Sequence, residues 1–198
     1  MKKSSLLLAT AIIASAGVNK AGAIDFTDKI YGKANAMIGV SADDAPGVSD
    51  TVLNIQAQGG FNVYYKLANF VHPFAGLRVG TNIPLTSEDM YGGGTVWTMS
   101  SLFYVDALLG AKFNITQSFA LQPYYFLGYS LFRQSSDAEA VNVSRMSTGA
   151  GLDAIYNIND KFGILGGVEY KYIACGTYNS VDLKGATQFS IHFGVQFL

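Results

Sequence analysis

Between Leu53 and Lys66 the chain alternates in polarity for fourteen residues. Leu53, Ile55, Ala57, Phe61, Val63 and Tyr65 have one parity; Asn54, Gln56, Gln58, Asn62, Tyr64 and Lys66 have the other. Successive strand side chains point to opposite faces, so this is a ribbon with one apolar and one amide-rich face. Ordinary globular strands run about 5–6 residues, whereas a tilted strand crossing a bilayer needs roughly 9–11. Length and pattern together predict one stave of a transmembrane β-barrel.

The pattern recurs in seven further segments, Lys29–Val40, Val71–Ile83, Thr95–Phe113, Phe119–Arg133, Asn142–Tyr156, Phe162–Ala174 and Lys184–Leu198. Residues 41–50, 84–94, 134–141 and 175–183 are predicted long loops, with Pro46-Gly47 and Gly92-Gly93-Gly94 as breakers; 67–70, 114–118 and 157–161 are short turns. Pro123 predicts a local bulge and Gly59-Gly60 a point of curvature. The fold class expected is all-β, an eight-stranded antiparallel up-and-down barrel. Long loops on one end and short turns on the other mark the outer-membrane kind, with extracellular loops and both termini periplasmic.

Alternation alone does not say which face looks outward, since a soluble eight-stranded barrel has the opposite sense. The polar face here carries few charges: Lys33, Lys66, Arg78, Asp106, Lys112, Arg145, Asp153, Glu169, Lys171 and His192. A water-exposed surface is usually richer in charge. Aromatics of the apolar face, among them Tyr65, Trp97, Phe113, Phe119, Phe162, Tyr172 and Phe197, gather near strand ends as a membrane girdle does. The polar face is therefore read as the lumen.

Met1–Ala23, with a basic start, the apolar run Leu6–Ala16 and Ala21-Gly22-Ala23, is read as a signal peptide; residues 24–198 are the barrel domain. Without Lys2, Lys3 and Lys20, 10 of the 13 Lys and Arg face 14 Asp and Glu, a net charge of −4. That argues against nucleic acid as a partner. Cys175 is the sole cysteine, so no internal disulfide can form.

With these features on hand, the chain resembles the outer-membrane β-barrel family of OmpA, OmpX and opacity-protein type. The resemblance covers the whole segment after the leader. It rests on the leader, the alternating strands, the loop asymmetry and the last strand Phe189-Ser190-Ile191-His192-Phe193-Gly194-Val195-Gln196-Phe197-Leu198, which looks like the family's carboxy-terminal assembly signal. It implies insertion by the barrel-assembly machinery, a lipid and lipopolysaccharide environment, and a monomer. No periplasmic domain follows the barrel, so peptidoglycan anchoring is not expected.

Eight strands enclose a lumen that side chains can fill. The lumen charges are expected to pair into a plug, with an ion gate or small-solute channel as the alternative. Ser190, His192 and Glu169 could in principle form a nucleophile, base and orienting acid for lipid hydrolysis. No nucleophile elbow is present, and a non-enzyme is expected. His72 is placed at a turn, in solvent. No metal or cofactor is expected. Asp43, Asp44, Asp50, Glu88, Asp89, Asp137, Glu139 and Asp182 are assigned to the long loops, with Arg133, Arg145 and Lys184 at their bases as candidate contacts to lipopolysaccharide phosphates. Acidic loop tips suggest a surface antigen or an adhesin meeting a host surface protein.

Overall fold

The computed structural model describes residues 29–44, 52–85, 89–92, 95–135, 140–174, 176–178, 181–183 and 185–197. The proposed leader and Cys175 lie outside them. Among the described residues there are eleven strands: β1 (Ile30–Asp44), β2 (Val52–Tyr65), β3 (Val71–Pro84), β4 (Asp89–Gly92), β5 (Thr95–Asn114), β6 (Phe119–Ser135), β7 (Ala140–Asn157), β8 (Phe162–Ile173), β9 (Gly176–Tyr178), β10 (Val181–Leu183) and β11 (Ala186–Phe197). Eight of them are staves. β4 extends the β5 hairpin, and β9 with β10 forms a small hairpin between β8 and β11.

Every stave is antiparallel to both neighbours, and the ends of the sheet meet. β1 pairs with β11 from Ala34↔Phe197 to Asp44↔Thr187, and β3 pairs with β5. Closure removes the sheet edges, which in lipid would leave unpaired N–H and C=O groups.

The stagger of the barrel can be read from the register. Stepping from Tyr31 to the opposed residue on each next stave leads through Tyr64, Phe74, Gly110, Tyr124, Gly151, Glu169 and Ser190, and returns to β1 at Ser41. The path comes back displaced by ten residues, from position 31 to position 41. Ten residues of rise against eight inter-strand spacings give a tilt of about 40°. The tilt is why the staves run to 12–20 residues.

The polarity is inverted relative to a water-soluble protein. Leu77 is 63% exposed and Phe193 66%, while Gln56, Asp106 and Lys171 are at 0%. A continuous apolar surface of this extent is foreign to a soluble monomer and is what a lipid-facing band requires. The barrel is a transmembrane one.

The short turns carry their own hydrogen-bond chemistry. Thr116 Oγ1 accepts from the N–H groups of Ser118 (3.3 Å) and Phe119 (3.0 Å), and Asn159 Oδ1 accepts from those of Lys161 and Phe162, both at 2.9 Å. Side-chain oxygens bonding backbone two or three residues ahead are what favours Thr and Asn there.

Two expectations need correction. No bulge sits at Pro123: the register with β7 runs through Pro123↔Leu152 unbroken, and that with β5 is in phase on both sides. Proline lacks only its own N–H, and a single missing ladder bond does not force an extra residue. The bulge lies instead between Ser100 and Leu102 on β5, so residues before it are out of phase with Phe103 and beyond. Second, β1 runs to Asp44, four residues past its expected end, which puts Asp43 in the barrel wall rather than in a loop; it is buried and accepts from Gln188 Nε2 at 2.6 Å.

Phe193→Arg is expected to destabilise the folded barrel in lipid by about 2–4 kcal/mol, the cost of a cation on the lipid face of an outer-membrane barrel. Urea unfolding in phospholipid vesicles checks this; a neutral result would point to a water-facing surface.

Candidate functional site

The lumen holds the chemistry-bearing residues, and register decides how they fit. Large inward side chains repeatedly stand opposite glycine. Tyr104 faces Gly80, Asp106 faces Gly128, Tyr124 faces Gly151 and Phe126 faces Gly149. A Cβ built on Gly128 would lie 1.9 Å from Asp106 Oδ1, and one on Gly80 2.3 Å from the Tyr104 ring. The glycines vacate the volume their cross-strand neighbours fill.

Arg78 on β3 is the centre of this packing. It lies between Gly60 on β2 and Asp106 on β5. Its Nη2 and Nε donate to Asp106 Oδ2 at 2.7 and 3.2 Å, and its Nη1 donates to Glu169 Oε2 on β8. β3 and β8 are four staves apart in either direction around the closed sheet. The guanidinium therefore ties opposite walls together across the diameter. Lys171, also on β8, completes the group with its Nζ 3.4 Å from Asp106 Oδ2. Tyr124 donates to Glu169 Oε2 at 2.9 Å.

Two cations and two carboxylates thus form a neutral cluster. Aromatic faces surround it. The Arg78 guanidinium carbon is 4.9 Å from the Phe126 ring centre, and Lys171 Nζ is 3.7 Å from that of Tyr104. Such contacts stabilise desolvated cations by up to about 2 kcal/mol each. All four ionic side chains are at most 2% exposed.

A second tier is neutral. The Tyr64 hydroxyl donates to Gln122 Oε1 (2.7 Å) and accepts from Gln196 Nε2 (3.1 Å), joining β2, β6 and β11. Beside it, His192 Nε2 and Asp153 Oδ1 are 2.8 Å apart, spanning Gly167 on the intervening stave. Towards the short turns, Tyr31 stacks on Tyr64 at 4.9 Å and its hydroxyl is hydrogen-bonded to His72 Nδ1 at 2.6 Å. His72 is therefore a buried lumen residue, not the solvated turn residue expected. Position 72 has the inward parity of Phe74 and Arg78, and the neighbouring Pro73 does not interrupt the strand.

Of the charged residues assigned to the lumen, Lys33, Arg78, Asp106, Lys112, Asp153, Glu169, Lys171 and His192 are buried. Arg78, Asp106, Glu169 and Lys171 come together, and Asp153 meets His192. Lys33 and Lys112 join neither group. Lys66 departs from its assignment: it lies just past the end of β2, exposed, with Nζ 5.5 Å from the Tyr31 ring centre. Arg145 is half-buried on β7, opposite Ser130. Lys184 and the side chain of Arg133 lie outside the described residues.

Phe74, Leu108 and Phe126 are inward residues that the assignment of polar side chains to the lumen passed over. Their parity was legible, since Phe126 lies in phase with Tyr124 and Gly128; their apolar character masked it. The candidate hydrolytic set is not assembled. Ser190 and His192 are at most 1% exposed inside the lumen, His192 bonds Asp153, and Glu169 is engaged by Arg78 and Tyr124.

No family model and no curated relative matches the chain. Solved structures do. The attachment invasion locus protein Ail of Yersinia pestis, determined with the heparin analogue sucrose octasulfate, is 15% identical with a TM-score of 0.50, covering 84% of this chain and 97% of that one. Neisserial surface protein A is 18% identical with a TM-score of 0.53, over 84% and 96%. A major outer membrane protein from Thermus thermophilus is 14% identical with a TM-score of 0.51, over 83% and 98%. At these identities the likeness establishes the fold, that of outer-membrane β-barrels.

Two substitutions probe the packing. Arg78→Ala leaves two buried carboxylates facing one lysine and is expected to cost about 3–5 kcal/mol of folding free energy. Replacing the whole cluster (Arg78→Met, Lys171→Met, Asp106→Asn and Glu169→Gln) is expected to cost less than that single change, by urea unfolding in detergent. Gly128→Ala should destabilise by about 1–3 kcal/mol through overpacking against Asp106. Gly59→Ala, whose Cβ would meet only Asn35 O at 3.6 Å, should stay within about 0.5 kcal/mol.

Proposed function

We propose that this chain, having the fold of the eight-stranded outer-membrane barrels, is an integral outer-membrane protein that presents its long loops at the cell surface as an interaction protein, its lumen closed by paired charges. The observation that carries the reading is Arg78, which reaches across the barrel diameter to Glu169 while holding Asp106 beside it. With Tyr104, Tyr124 and Phe126 filling the same level, a diffusion pathway has little room. A barrel that transports nothing has its remaining variable surface in the connections. The β4 and β9–β10 strands, formed within two of the four long connections, support a structured surface there.

In this reading the short turns and both termini face the periplasm, lipopolysaccharide packs against the rim, and a host surface protein is the class of partner for the loops. Ail is by name an attachment invasion locus protein, and that neighbour lends the adhesin reading its support. A small-ion channel is the second reading, favoured by the same cluster: exchange of carboxylate partners around Arg78 and Lys171 would open a path without breaking the wall. No enzymatic step is assigned.

Two measurements separate these. In planar bilayers the native protein is expected to show no sustained conductance, and Arg78→Ala to introduce open events; steady channel activity of the native barrel, lost in Asp106→Ala, would favour the channel. Binding of purified protein to cultured host cells should fall by at least about tenfold when residues 45–50 and 136–139 are replaced by short Gly-Ser linkers. Unchanged binding would overturn the adhesin role.

A further inference from the structure

The buried charges of the lumen do not all pair. Arg78 and Lys171 pair with Asp106 and Glu169, Asp153 meets His192, and Asp43 is held by Gln188. Lys33 and Lys112 stand apart from these groups. They are only 6% and 4% exposed, and among the described residues neither has a carboxylate within ion-pair distance.

Both lie towards the same mouth. Lys112 stands opposite His72, two residues before the end of β5. Lys33 is three residues from the start of β1, at the end of the barrel that carries the short turns. His72 faces Lys112 across the β3–β5 ladder and is hydrogen-bonded to Tyr31, and Lys66 Nζ lies 5.5 Å from the Tyr31 ring centre. Three lysines and a histidine from four consecutive staves therefore converge on one opening. Two buried ammonium groups with no ion-pair partner are a costly arrangement unless something compensates them. A lysine ammonium is a compact point charge, suited to a compact anion of high charge density.

We propose that the short-turn mouth of the barrel is a binding site for a phosphate-class oxyanion, held between the Lys33 and Lys112 ammonium groups, with His72 beside it and Lys66 at the rim. The tetrahedral oxygens can accept from both ammonium groups at once, and the attraction is strengthened by the low-dielectric wall. The phosphate can belong to a free ion or to a lipid headgroup reaching the rim, and the chemistry of capture is the same.

The test uses the folded full-length barrel in non-ionic detergent. Inorganic phosphate is titrated by calorimetry, with sodium chloride at matched ionic strength as the reference; a second series uses micelles doped with phosphatidic acid. The site should give saturable phosphate binding and a raised unfolding midpoint that chloride does not reproduce. Lys33→Gln and Lys112→Gln should each weaken binding about tenfold, and the double change should abolish it. Lys66→Gln, at the exposed rim, should have the smaller effect. Saturation by inorganic phosphate assigns the free ion; a response to phosphatidic acid alone assigns the headgroup. The proposal is overturned if neither series saturates, or if the Lys33→Gln/Lys112→Gln barrel, still folded by its heat-modifiable gel mobility, binds as tightly as the native one.

Discussion

The pairing of β1 with β11 is the constraint on which everything else rests. A sheet in lipid has no water to receive its edge N–H and C=O groups, so it must meet itself. Meeting with a displacement of ten residues fixes the tilt, the tilt sets the stave length, and both fix which side chains share a level of the lumen. Arg78 meets Glu169 because eight staves with that stagger place those two positions across from each other.

Closure also inverts the usual allocation of residues. Apolar side chains go to the outside, where lipid receives them, and the interior becomes a narrow tube that must hold every polar group turned inward. Volume and charge are then solved together. Glycines on one stave admit Tyr104, Asp106, Tyr124 or Phe126 from the next. The admitted groups pair across the tube, because a buried charge with no partner is far more costly than a pair. Lys33 and Lys112, which have no ion-pair partner among the described residues, lie near the short-turn end rather than at mid-depth.

Much of this was legible in the chain. The parity of Leu53–Lys66 and of the other segments placed Arg78, Asp106, Glu169 and Lys171 on the inner face before any pairing was known. Strand limits are harder to read from the chain than parity. Asp43 looks like a loop residue beside Asp44 and Pro46, yet β1 continues through it because Gln188 supplies a donor. His72, next to Pro73, has the look of a turn residue, yet Tyr31 and Asn114 receive it inside. A proline suggested a bulge at position 123, and the bulge formed on β5, where no residue type announces it.

The sequence by itself determined the number of staves and the two faces they present, because a period of two is a local property that any fourteen residues can display; the few charges of one face and the terminal aromatics of the other pointed to the medium each meets. It could not determine partners. Whether Arg78 binds Asp106, whether Gly128 makes room for that carboxylate, and which lysines are left uncompensated all depend on register and stagger. Those are set by closure of the whole sheet, a condition that no single segment contains.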